Sequence, residues 1–281
     1  MSRRPHNRDR TARGNARGKT GRHVAATSPP VAAVTNDPPH RLDAVDALRG
    51  SAICMMIVYH AAFDLNWFQI ISTDFNHNPF WLGFRDLIVS SFLLLVGVSL
   101  VLAQRAGISP KRFWRRIALV GACALLVTAG SYAAFPATFI TFGILHCIVV
   151  SSILGWPFAR FPRAALIVGI VLIAAGSSIG ATVLDPPWLR GLTLFDLPWL
   201  NWVGLMTHRP ATEDYVPVLP WFGVVLVGIA VGGWVVERRL RDLQRVSRAS
   251  PQWLTWLGRH SLLAYMVHQP IMIGILRVLH G

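Results

Sequence analysis

The sequence predicts an all-α, polytopic membrane bundle of about seven transmembrane helices with a cytoplasmic N-terminus. Three observations predict it. The 281 residues are 53% hydrophobic and only 14% charged, with a mean hydropathy of +0.46, far from the roughly one-quarter charged content of soluble domains. Apolar stretches close to the ~20 residues a spanning helix needs recur along the chain. Arg and Lys gather in alternate connecting segments, the pattern of the positive-inside rule.

In chain order, residues 1–40 are rich in Arg, Pro, Gly, Ser and Thr and carry no periodic apolar pattern, which predicts a disordered basic tail. Within it "GNARGKT" resembles a phosphate loop, but the spacing from Gly14 to Gly18 is one residue too short and no strand precedes it, so nucleotide binding there is rejected. Residues 41–281 read as one integral membrane domain. Leu42, Val45 and Leu48 share the apolar face of a lead-in helix, with Asp43 as its cap and Asp46 within reach of Arg49. Apolar spans follow at about 51–70, 87–104, 116–135, 138–156, 163–184, 217–236 and 261–279.

Between the spans, the segments 104–116 ("QRAGISPKRFWRR"), 159–163 ("ARFPR") and 237–248 ("ERRLRDLQRVSR") are basic. The intervening loops hold Asp74, Asp86, Asp185, Asp196, Glu213 and Asp214. The N-terminus is therefore expected in the cytoplasm and, after seven crossings, the C-terminus outside, in a multi-pass plasma (inner) membrane protein. The formal net charge of +14 is thus a matter of topology and anionic lipid and not of nucleic acid. The outer segment 185–216, rich in Trp, Phe and Pro, is long for a connector and suits either an interfacial anchor or a substrate cover.

Chemistry is expected where ionisable residues interrupt apolar helices. An ionisable group at a helix centre costs about 2.5–3.5 kcal/mol on insertion scales and usually faces protein or water. In "RLDAVDALRGSAICMMIVYHAAFDL" (41–65), His60 and Asp64 are four apart and share a helix face, with His60 ~15 Å into the span. The pair is a candidate general base with its orienting acid, or a structural pair locking helices. His77 stands in the first outer loop, and Arg85 and Asp86 suit an interfacial pair. His146 suits a satisfied core histidine as well as a ligand. The last segment places Arg259 and His260 at the cytoplasmic boundary and His268 and Gln269 two turns further in.

Arg49, Arg115, Arg116 and Arg259 are candidate phosphate binders at helix mouths. Cys54, Cys123 and Cys147 give neither a disulfide framework nor a metal spacing. The only lysines, Lys19 and Lys111, lie outside every span, which excludes a buried Schiff-base lysine.

The segment 41–65, followed by "FRDLIVSSFLLLVGVSL", "TFGILHCIVVSSILG", "LPWFGVVLVGIAVG" and "LGRHSLLAYMVHQPI", resembles the bacterial members of the heparan-alpha-glucosaminide N-acetyltransferase catalytic-domain family. It is also similar to the broader acyltransferase 3 type membrane enzymes. The resemblance covers about residues 40–279. It implies transfer of an acetyl group from cytoplasmic acetyl-CoA, a co-substrate, to an amino sugar or glycan hydroxyl or amine presented across the membrane. It implies catalytic roles for His60 and His77; the spacing adds Asp64 as the orienter of His60, and position sets Arg49, Arg115, Arg116, Arg259, His260 and His268 toward the acyl-CoA. It leaves room for a homo-oligomer. The reading from residues alone keeps a rival, a proton-coupled transporter relaying protons through His60, Asp64 and His268.

Overall fold

The apolar runs form helices because a backbone in lipid must satisfy its own hydrogen bonds, and an uninterrupted helix does so within one segment. The computed structural model describes residues 42–181, 193–197, 199–206, 210–238 and 249–280. Among the described residues there are eight α-helices and no strand: α1 (Asp43–Trp67), α2 (Pro79–Arg105), α3 (Pro110–Ala134), α4 (Ile144–Phe158), α5 (Pro162–Ala181), α6 (Val218–Arg238), α7 (Gln252–Arg259) and α8 (Ser261–His280). The tail with its "GNARGKT" segment lies outside the described residues, as do parts of 185–216 and 237–248.

Five helices, α1, α2, α3, α6 and α8, are long and apolar enough to cross a membrane. The expected fourth span is shorter, a 15-residue α4, because Phe135 to Gly143 leaves helical geometry. There, Ser131 Oγ accepts from the Ile140 amide and Thr128 Oγ1 donates to the Ile140 carbonyl. The described part of α5 is likewise a shorter apolar helix. The second span starts earlier than its apolar run, since Asn78 caps α2 by accepting from the Phe80 amide and Pro79 occupies the first turn.

The lead-in is continuous with the first span in α1. Asp43 is its first helical residue and not its cap, a role that falls to Leu42 without a side-chain bond. Val45 is buried, whereas Leu48 points outward.

Lipid offers little hydrophobic drive for helix association, so close backbone approach carries the packing. Helix α6 lies between α2 and α5 and also meets α4. A Cβ on Gly97 would stand 2.1 Å from the Val225 carbonyl oxygen, and one on Gly228 2.2 Å from that of Leu94. On the opposite side Gly223 faces Gly169 in the same way. Leu93, Val101, Val225, Leu226 and Ile229 are fully enclosed around these contacts. By contrast α3, α5 and α8 turn Leu125, Ile167 and Ile275 outward, as lipid-facing helices do.

From α1 to α6 the chain reverses direction from each helix to the next. One end of the bundle gathers the end of α2 with the ends of α4 and α6, through Gln104 to the Trp156 carbonyl and Arg105 to Glu237. It also joins the start of α1 to α7 through Asp43 and Arg259. The other end gathers the ends of α1 and α3, where Trp67 meets Phe135, and the starts of α4 and α6, where Asp214 Oδ2 accepts from the Ile144 amide. The basic segments 104–116 and 159–163 share the first end, and Asp74, Asp86, Glu213 and Asp214 share the second. Helix α8 starts at the basic end and runs beside α1 in the same direction, so that its middle meets the last turns of α1.

Candidate active site

His60 and Asp64 stand on successive turns of α1, as their spacing requires, and both face α8. The orienting contact between them is absent. His60 Nδ1 donates to the Met56 carbonyl at 2.9 Å, and Asp64 Oδ1 accepts from Gln269 Nε2 at 2.8 Å. The cause is helical geometry: side chains lean toward the N-terminus, so the imidazole reaches back one turn and away from Asp64. A backbone carbonyl can only accept, so Nδ1 carries the proton of the neutral ring and Nε2 keeps its lone pair. His60 is half-buried, and its Nε2 makes no hydrogen bond.

His268 lies edge-on to His60 with ring centroids 4.9 Å apart. Its Nδ1 donates to the Tyr265 carbonyl at 2.6 Å, so its Nε2 is also an acceptor, and this one is enclosed without a partner. The sequence groups His268 with the basic residues; the structure sets it against His60, eight residues and ~12 Å along α8 from His260. The result is a two-rung ladder between α1 and α8. His60 with His268 forms one rung and Asp64 with Gln269 the other. Asp64 is three residues from the end of α1, so the ladder lies toward the acidic end of the bundle.

His77 is elsewhere. Its side chain is 85% exposed and its Nδ1 meets Asp74 Oδ2 at 2.9 Å. The Asn76 and His77 amides donate to Asp74 Oδ1, and the Asn76 amide foremost, with help from His77, holds the Asp74 carboxyl below the usual range. This loop is moored by Phe75, buried against Tyr59, Phe63 and Trp81. Arg85 meets Asp86 at 3.4 Å.

His146 is a satisfied structural histidine. The Gly143 amide donates to its Nδ1, and its Nε2 stands 3.3 Å from Thr128 Oγ1. The three cysteines are free, and no group of three or more His, Cys, Asp or Glu able to hold a metal occurs among the described residues.

The candidate phosphate binders divide into separate places. Arg49 donates to Asp46 Oδ1 at 2.7 Å and to Ser99 Oγ at 3.0 Å. Arg259 donates to Asp43 Oδ1 at 2.6 Å and approaches Asp46 Oδ2 at 3.7 Å. That hydrogen bond, reinforced by the charge of Asp43, raises the Arg259 pKa. Both guanidiniums are thus engaged in the seam between α1, α2 and α7, where a Cβ on Gly258 would stand 1.7 Å from the Asp46 carbonyl oxygen. His260 is exposed and lies over Trp256, with ring centroids 4.6 Å apart. Arg115 and Arg116, with Arg112 and Leu119, line an open groove on the face of α3 at the basic end.

Two pairings that complete these arrangements carry no local signal. Gln269 lies 205 residues from Asp64, and Ser99 lies 50 from Arg49. The family described as "Heparan-alpha-glucosaminide N-acetyltransferase, catalytic" matches over residues 41–270. No curated protein and no solved structure matches the chain.

Proposed function

The chain belongs to the heparan-alpha-glucosaminide N-acetyltransferase catalytic family, a family of membrane acetyltransferases, and from that premise we propose that it moves an acetyl group from cytoplasmic acetyl-CoA to an amine or hydroxyl of a sugar or glycan presented from the other side. In this reading α1 to α6 and α8 make seven crossings, and the basic end is cytoplasmic.

The observation that supports the reading best is the state of His60. Its Nδ1 proton is committed to Met56, which leaves an unprotonated Nε2 inside a helical bundle. His60 Nε2 takes the proton of the acceptor N–H or O–H as its heteroatom attacks the acetyl carbonyl carbon. The C–S bond then breaks and the imidazolium returns the proton to the departing thiolate. A positioned base of this kind contributes typically ~10²–10⁴-fold.

Acetyl-CoA brings phosphates, which Arg112 and Arg115 suit better than Arg49 or Arg259, whose donors meet carboxylates of the protein. Asp64, with no hydrogen bond to His60, serves the acceptor side and not the base.

The test is transfer of radiolabel from acetyl-CoA to glucosamine by purified protein. Labelled N-acetyl product in the wild type and its loss in His60→Ala are expected; absence of transfer to any amino sugar, glycan or water, together with absence of CoA binding, refutes the reading. Substrate-independent proton flux in proteoliposomes would favour the transport alternative.

A further inference from the structure

The ladder between α1 and α8 contains an imbalance that proton abstraction by His60 leaves unused. Asp64 is 3% exposed and His268 9% exposed. Asp64 Oδ2, Gln269 Oε1 and His268 Nε2 are all enclosed, and none has a hydrogen-bond partner within the protein. Their chemical character follows from the partners of their sister atoms. A carboxylate only accepts, so the amide group that meets Asp64 Oδ1 is the NH₂ of Gln269, and the oxygen Oε1 is the end left over. The Tyr265 carbonyl takes the Nδ1 proton of His268, so the neutral ring offers a lone pair at Nε2.

Three enclosed atoms on adjoining turns are therefore all acceptors, and the nearby His60 Nε2 is a fourth. An enclosed acceptor without a donor is penalised, and several such atoms along one helix contact are a feature that a native structure needs a reason to keep.

We propose that the Asp64–Gln269 rung, flanked by His268, is a binding subsite for a donor-rich group of the acceptor molecule, a pair of hydroxyls or an amine, held one helical turn beyond His60 on α1. The subsite rests on the acyl-transfer reading only in calling its occupant the acceptor. A divalent cation is a poor fit, because no group of three or more metal-ligating side chains gathers among the described residues. A carboxylate, a phosphate or an acyl chain brings no donor and meets only lone pairs. Asp64 Oδ2 receives one donor hydrogen, and Gln269 Oε1 and His268 Nε2 receive others, so a molecule with several hydroxyl or amino hydrogens on neighbouring carbons complements the subsite. Gln269 is then a positioning residue: it holds Asp64 Oδ1 and so turns Oδ2 toward the occupant.

The test is calorimetric titration of the purified full chain in detergent with glucosamine, with glucose, and with per-O-methylated glucose, which keeps the ring and oxygens of the sugar and replaces each donor hydrogen by a methyl group. Glucosamine and glucose are expected to saturate and the methylated sugar is not. Asp64→Asn, which replaces one acceptor oxygen by an NH₂, is expected to weaken glucosamine by about tenfold or more, and Gln269→Ala to weaken it in the same direction.

Absence of saturation by both sugars, equal binding of the methylated sugar, or unchanged affinity in a folded variant overturns the subsite. Should Asp64→Asn fail to elute as a folded species, Gln269→Ala and the methylated sugar on wild type still decide. Acetyl-CoA is titrated separately on the same wild-type sample. Its failure to bind counts against acyl transfer, while the sugar titrations decide the subsite.

Discussion

Replacing His60 by Ala removes the nitrogen proposed to take the acceptor's proton, and transfer should fall by about 10²–10⁴-fold with the protein still folded. Acetyl-CoA turnover checks this, and unchanged turnover would move the base to His77. Arg49 tests a different kind of residue. Arg49→Ala strips Asp46, which is buried, of its closest charge partner and frees Ser99 Oγ, so a loss of roughly 1–3 kcal/mol is expected, read by thermal unfolding in detergent. Lys at this position reaches one partner, not two, and should recover only part of the loss.

Asp74 provides a pH test outside the membrane. Its carboxyl lies below the usual range, first because the Asn76 amide donates to it. Its contribution to the order of the 74–77 turn is full above the ordinary carboxylate pKa and is lost as pH falls through the depressed value. The protection factors of the Asn76 and His77 amides should fall on acidification, and Asp74→Asn should show the low protection at neutral pH. Sequence spacing marked His60, Asp64 and the Asp46–Arg49 pair because all depend on neighbours within one helix. It missed the partition of roles because Gln269 reaches Asp64 across 205 residues, a distance no local pattern encodes.

At the scale of elements, the contacts that place helices are made by absent side chains. Gly258→Ala would force a methyl onto the Asp46 carbonyl, with no flexible neighbour to yield, and Gly97→Ala would do the same against α6. Each should cost at least the ~1–3 kcal/mol of an overpacked core, seen as reduced yield of folded, monodisperse protein. Gly83→Ala, where nothing lies within 4 Å of the added carbon, should be silent.

Helix existence was legible in the apolar runs, because hydrocarbon leaves a segment few alternatives. Boundaries were less so. Asn78 and Pro79 begin α2 well before its apolar run at residue 87, and the Ser131 and Thr128 hydroxyls end α3 and delay α4 by capturing Ile140. Caps made of side-chain bonds leave hydropathy unchanged and so escape a hydropathy reading.

At the scale of the whole molecule, alternate basic segments anticipated that one end of the bundle would carry Arg105, Arg112, Arg115, Arg160 and Arg163 while Asp74, Asp86 and Asp214 would lie at the other. The proposed orientation makes a definite forecast. A reporter fused after His280 and active only outside the cytoplasm should be active, and one placed between Gly107 and Pro110 should not.

Helix α8 adds a constraint of another sort. It turns most of its surface outward, and Gln269 and His268 are among the few groups that touch α1 from it. Since a bilayer provides scant apolar glue, the polar atoms that would handle substrate are also mooring lines for the final helix. Selection acting on either task is thereby felt by the other, for the one bond from Gln269 to Asp64 serves both.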